Sequence, residues 1–256
     1  MSRNFELLQR LEQRRGVSTP VEVAAVAPAP SKPVTAPSRA IIRPDIAESL
    51  GRMPSVEQEI QRLVRRLFFS SATVGPRLVS FADVEQANGS TAIAAKAGEV
   101  VAAEGRSVCL VDANFSSPLL HTHFGLPYDP ITPSIARNSA HSLRAIAQSP
   151  GPAHLWVLTC ARPEHGSVWQ EFPSFLSLLR NQFDFILIDA GVVMDVATLQ
   201  VAQQSDGLVL VIEANTTRRE RAARAKEVLA ESQISLLGAV LNNRTFPIPE
   251  NVYQRL

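Results

Sequence analysis

The sequence predicts an α/β protein, a doubly wound and mostly parallel sheet with helices on both faces. Continuous apolar runs such as Phe185-Ile186-Leu187-Ile188 and Leu208-Val209-Leu210-Val211-Ile212 read as strands buried on both sides, as parallel strands under helices must be. Strand-like and helix-like segments alternate from about residue 55 onward. A strand, a glycine loop and a small-residue helix follow one another between Arg77 and Glu104, the order in which doubly wound sheets build ligand sites.

The first 53 residues stand apart. Over residues 1–16, Phe5, Leu8 and Leu11, with Leu7, share one face of a short amphipathic helix, read equally as a docking helix for a partner or as a frayed, solvated N-terminus. Residues 17–53 hold Pro20, Pro28, Pro30, Pro33 and Pro37 among Ala, Val and Ser, too few large apolar groups for a core, and read as a disordered linker. A globular domain over 54–256 follows, with Ser55 as the cap of a helix running to Phe69.

The remaining elements follow from periodicity and turn chemistry. Strands are expected at Arg77–Ala82, Ser107–Asp112, Leu155–Cys160, Asp184–Asp189, Gly207–Glu213 and Leu236–Leu241. Helices are expected at Thr91–Glu104, near Ser142–Gln148, at Phe172–Asn181, near Val196–Gln204 and at Thr217–Ser232, with an irregular stretch after Asp112 to about residue 135.

Bulk properties bound the function. A net charge of +1 over 256 residues gives no general attraction to nucleic acid or to an anionic membrane, so no nucleic-acid partner is expected. Cys109 and Cys160 both fall in apolar strands and read as buried free thiols. The start, Met-Ser-Arg-Asn-Phe-Glu-Leu, carries no apolar signal-peptide core, and no apolar run is long enough to span a bilayer. A cytoplasmic location is the expectation.

Chemistry concentrates at the strand ends. In Gln86-Ala87-Asn88-Gly89-Ser90-Thr91, a glycine turn opens a helix, where backbone N–H groups cradle phosphate. Two strands, Cys109-Leu110-Val111-Asp112 and Ile186-Leu187-Ile188-Asp189, end in aspartate. Carboxylates beside a phosphate loop hold a hard cation, so Asp112, Asp189 and the hydroxyl of Thr91 form a candidate Mg²⁺ set. The structural alternative is that each aspartate caps the turn that follows it.

These motifs, in this order, resemble the cytoplasmic kinase domains of the bacterial tyrosine kinases of exopolysaccharide and capsule synthesis, themselves relatives of the MinD/ParA-type P-loop ATPases. The resemblance covers roughly residues 55–256. Glu59-x-x-Arg62-x-x-Arg65 looks like the family's self-association motif. Gln86 to Thr91 takes the Walker A slot, Val111-Asp112-Ala113-Asn114 the second acidic motif, and Phe183 to Asp189 Walker B. Pro118-Leu119-Leu120-His121 with Phe124-Gly125-Leu126, Ser205-Asp206-Gly207, Thr217 to Glu220 and Leu237 to Asn242 complete the order. The resemblance implies ATP and Mg²⁺ as cofactors, with Asp112 and Asp189 catalytic and Asn88, Gly89, Ser90 and Thr91 at the phosphates. It places Asn242 against the base. It also implies a homo-oligomer and a membrane polysaccharide co-polymerase or chain-length regulator as partner, recruiting the chain to the inner face of the cell membrane.

The departures are as informative. Ser90 stands where the family has its Walker lysine, Gln86-Ala87 replaces Pro-Gly, and Asn114 removes the second carboxylate of the acidic pair. The chain's lysines are Lys32, Lys96 and Lys226, and none is near the loop in sequence except Lys96, which lies about 9 Å along the helix at 1.5 Å per residue. The family's tyrosine cluster is absent, leaving Tyr253 as a lone candidate phospho-acceptor beside Tyr128. The reading is therefore a regulatory protein of exopolysaccharide assembly with weakened or lost autokinase activity. The rivals are an active Mg·ATP-dependent tyrosine autokinase, with an arginine standing in for the lysine, and a MinD/ParA-type positioning ATPase.

Overall fold

The computed structural model describes residues 55–69, 75–132, 153–162 and 167–244. The expected helix over 1–16, the linker over 17–53, the helix near Ser142–Gln148 and the tail with Tyr253 lie outside these residues.

Helix α1 (Val56–Phe68) begins at a capping box: the Ser55 side chain accepts from the Gln58 amide while the Gln58 side chain accepts from the Ser55 amide. Ile60, Val64 and Phe68 recur at helical spacing and are the buried stripe. Strand β1 (Leu78–Asp83) leads through the glycine loop into α2 (Ser90–Ala103) and then β2 (Val108–Asp112). Gly98 lets α2 lie on the sheet, since a Cβ there would meet Leu110 Cδ2 at 2.9 Å.

After β2 come a single turn, α3 (Leu120–His123), and a two-residue strand, β3 (Pro130–Ile131). The rest of the chain alternates: β4 (Leu155–Cys160), α4 (Ser167–Gln182), β5 (Phe185–Val192), α5 (Val196–Ala202), β6 (Gly207–Glu213), α6 (Arg219–Glu231) and β7 (Leu236–Asn242). Every paired strand is parallel, in the order β3-β4-β2-β5-β1-β6-β7.

Both faces of this sheet are covered, as the apolar runs required. On one face α1 and α2 pack Ile60, Val64, Ile93 and Val101 against Val79, Phe81, Leu110 and Leu187. On the other, α4 sets Phe172, Phe175 and Leu179 against Leu78, Val111 and Ile188, and α6 sets Ala225 and Leu229 beside Leu208 and Leu210. Successive strand residues thus serve opposite cores. Cys109 and Cys160 are buried and free.

Three element readings need correction. A seventh strand, β3, sits in the stretch expected to be irregular; two residues bonded to Thr159 and Cys160 are too short to show a period. Helix α4 starts at Ser167 rather than Phe172 and runs through Pro173. Burial of Phe172, Phe175, Leu176 and Leu179 on one face outweighs the backbone bond that proline forfeits. Strand β5 continues past Asp189 to Val192, because the register with β1 shifts between Phe81 and Ala82 and pairing resumes at Gly191, whose φ is +87°.

Candidate functional site

Strand β1 lies between β5 and β6, and β2 lies on the far side of β5, so the glycine loop emerges beside the ends of strands that run the same way. Asp189 on β5 is in register with Phe81 on one side and with Asp112 on the other. The sheet therefore brings together the loop and both strand-end aspartates named from sequence.

Their bonding partners are now visible. Asp189 is fully buried; the Ser90 hydroxyl donates to its Oδ1 at 3.0 Å, and the Thr91 hydroxyl donates to its Oδ2. Asp112 faces the turn after β2: the Asn114 amide donates to Oδ1 at 3.2 Å and the Leu120 amide to Oδ2 at 2.9 Å. That is the capping geometry, with both carboxylate oxygens engaged by backbone. Asn114 continues the turn by accepting from the Ser117 amide at 3.2 Å.

A third aspartate enters that the sequence reading did not single out. Asp83 ends β1 and turns its carboxylate onto the start of α2, where the Ser90 amide donates to Oδ1 at 2.8 Å. Asp83 is 6% exposed and Ser90 1%, so this contact is buried at both ends. The signal was available: Asp83 closes an apolar strand run just as Asp112 and Asp189 do.

The loop itself is held from several sides. Gly89 caps α2 with φ +103°, and a Cβ there would collide with Nδ2 of Asn242. That Nδ2 donates to the Asn88 carbonyl at 2.8 Å, which ties the Asn242 side chain to the loop backbone. Asn88 Oδ1 accepts from the Glu85 amide at 2.8 Å, and the Glu85 carboxylate forms an ion pair with Arg221 of α6. Ala87 keeps the left-handed backbone of a loop glycine, φ +66°, at a steric cost of roughly 1–2 kcal/mol for a residue with a Cβ.

Electrostatically the site is acidic. Burial, reinforced by the charge of Asp189, pushes Asp83 up to about 6 despite the Ser90 amide that favours its charged form. Burial and the same neighbour push Asp112 to about 7. Burial also raises Asp189, against the pull of the Thr91 and Ser90 hydroxyls. A cavity of about 520 Å³ opens beside the loop, lined by Asp83, Gln86, Gly89, Thr91, Asn114 and Asp195 among others, and no lysine or arginine lines it among the described residues. Lys96 is turned away into an ion pair with Glu99 at 2.7 Å.

This donor set does not fit Mg·ATP as the residues stand. The amide that would meet a phosphate is bonded to a carboxylate, and Asp112 is committed to backbone N–H groups. Among the described residues, no group of three or more His, Cys, Asp or Glu side chains is placed to hold a metal ion. Elsewhere, Glu59 and Arg62 form an exposed ion pair at 2.8 Å on α1, with Arg65 exposed on the same helix.

No family model matches the chain. The tyrosine-protein kinase YwqD of Bacillus subtilis is 29% identical over 198 residues, covering 74% of this chain and 82% of that protein. The tyrosine-protein kinase CpsD of Streptococcus agalactiae is 36% identical over 74 residues, 28% of this chain and 31% of its own length. The chain is thus similar to bacterial tyrosine kinases over most of its length. In fold, the chimerical protein CapA2B2 superposes with a TM-score of 0.67 at 20% identity, over 78% of this chain and 90% of that one. The septum site-determining protein MinD of Pyrococcus horikoshii gives 0.55 at 20% identity, over 70% and 76%. The fold is that of the MinD/ParA-like P-loop NTPases. Among the described residues, no helix is long and apolar enough to cross a membrane.

Proposed function

We propose that this chain is a kinase-like P-loop protein of exopolysaccharide or capsule biosynthesis or export, acting as a regulatory partner whose ATP-dependent tyrosine autokinase activity is weakened or lost. One observation carries the reading: where the loop needs a cation, Ser90 is buried and its hydroxyl is bonded to Asp189. A charge-assisted hydrogen bond to phosphate is worth about 1.5–3 kcal/mol, and the developing charge of phosphoryl transfer depends on the same group. The relationship to kinases such as YwqD and CpsD supports the biosynthetic setting. The likeness to a chimerical protein, CapA2B2, supports a partner. In this reading the partner is a membrane polysaccharide co-polymerase or chain-length regulator, which holds the chain at the inner face of the cell membrane. Glu59, Arg62 and Arg65 mediate self-association, and Tyr253 is the candidate phospho-acceptor of the tail, against the alternative that its side chain packs the tail onto the domain.

Calorimetric titration with Mg·ATP tests the central claim. The wild-type chain gives no heat of binding at micromolar nucleotide. Micromolar binding that Asp112→Ala abolishes would return the chain to the active Mg·ATP-dependent autokinases.

A further inference from the structure

The α2 N-terminus is a place where anions are favoured, because its first amides lack intrahelical partners and the helix dipole is positive there. In this chain that place already has an anion. Asp83 reaches over from the end of β1 and takes the Ser90 N–H at 2.8 Å, and the Gly89 amide and Ser90 hydroxyl also favour its charged form. Arg221 of α6 is paired with Glu85, and among the described residues no ion pair reaches Asp83. Beside Asp83 stands Asp189, whose charge is felt at Asp83 and whose oxygens take the Ser90 and Thr91 hydroxyls.

We propose that Asp83 is a built-in counter-anion of the phosphate loop, filling with its carboxylate the seat a phosphate would take on the α2 amides. This rests on the reading above, that the chain does not bind nucleotide, and adds a cause beyond the missing lysine. A phosphate approaching these amides has to displace the carboxylate and then lie next to it and Asp189. Restoring the lysine alone does not open the seat: a lysine at position 90 keeps the backbone amide that donates to Asp83, and its ammonium, replacing a hydroxyl bonded to Asp189, is drawn to these two carboxylates. Asp83 is thus a specificity-determining residue, and the loop excludes nucleotide twice over.

The experiment compares Mg·ATP affinity by calorimetry in four proteins: wild type, Ser90→Lys, Asp83→Ala with Ser90→Lys, and Asp83→Asn with Ser90→Lys. The asparagine variant keeps the shape and the acceptor oxygen, so it guards against a folding failure of the alanine one; thermal melts establish that each is folded. The expected result is that removing the Asp83 charge tightens binding about 10- to 100-fold over Ser90→Lys alone, the range set by one charge-assisted contact. Equal affinity in Ser90→Lys and the double variants overturns the proposal, and so does the absence of binding in both folded double variants. Binding by the wild type overturns the functional reading instead, and the ratio between single and double variants still decides the role of Asp83.

Discussion

Three buried aspartates within one site make a residue-scale prediction about pH. Asp83 and Asp112 hold their protons up to about 6 and about 7, against 3.8 unperturbed, and Asp189 is raised as well, in each case first by burial. A carboxyl whose pKa rises on folding stabilises the native state fully below its unfolded pKa, and that stability is lost as pH climbs through the folded value. The chain should therefore melt higher at pH 5 than at pH 8, with the change centred between about 4 and 7. For a chain of this size each kcal/mol moves the midpoint by about 2–4 °C. The double variant Asp83→Asn with Asp112→Asn should flatten most of this slope. A wild-type midpoint that stays level or rises toward pH 8 would contradict the buried-carboxylate account. Of these residues, the sequence made Asp112 and Asp189 visible because each closes a four-residue apolar run. Asp83 ends such a run too, but lies inside the loop motif, where its neighbours Gln86 to Thr91 define the alignment. What side chains bond to is a property of loop curvature, which periodicity does not carry.

At the scale of elements, the strand that leads into the loop is anchored at its start by Arg77. Its Nε donates to the Asp184 carbonyl at 2.8 Å, and its Nη2 to the carbonyls of Phe183 at 2.8 Å and Arg180 at 3.2 Å. Those carbonyls belong to the end of α4 and the turn into β5, which lack intrahelical donors. Asp206 completes the staple by accepting from the Arg77 amide at 2.8 Å and from Arg180 at 2.6 Å. Arg77→Ala should lower stability by about 1–3 kcal/mol, read as a denaturant midpoint shift with an unchanged slope. A shift within a few tenths of a kcal/mol would mean that water replaces the guanidinium without cost. Elements of this kind were largely legible: long apolar runs such as Leu208–Ile212 gave the parallel strands, and Ser55 with Gln58 gave the start of α1. The errors fell where a local rule met a tertiary one. The sequence predicts the helix only from Phe172, one residue before Pro173, yet the apolar face around Phe172 and Phe175 carries α4 through the proline.

The whole molecule poses the question of what α1 is for. Its buried stripe, Ile60, Val64 and Phe68, already secures it to α2 and the sheet. Glu59, Arg62 and Arg65 are exposed, and a surface ion pair such as Glu59–Arg62 contributes about 0–1 kcal/mol to a fold. The fold therefore draws little stability from that pair, which leaves these residues free to serve the proposed self-association. The two roles separate cleanly by experiment. Arg62→Ala with Arg65→Ala should move the sedimentation profile toward monomer while the melting midpoint shifts by no more than surface substitutions do, within about 0.5 kcal/mol. An unchanged profile removes self-association from this helix. A large loss of stability would mean instead that the arginine stems cover the Ile60–Val64 stripe, since long charged side chains shield apolar surface as well as carry charge.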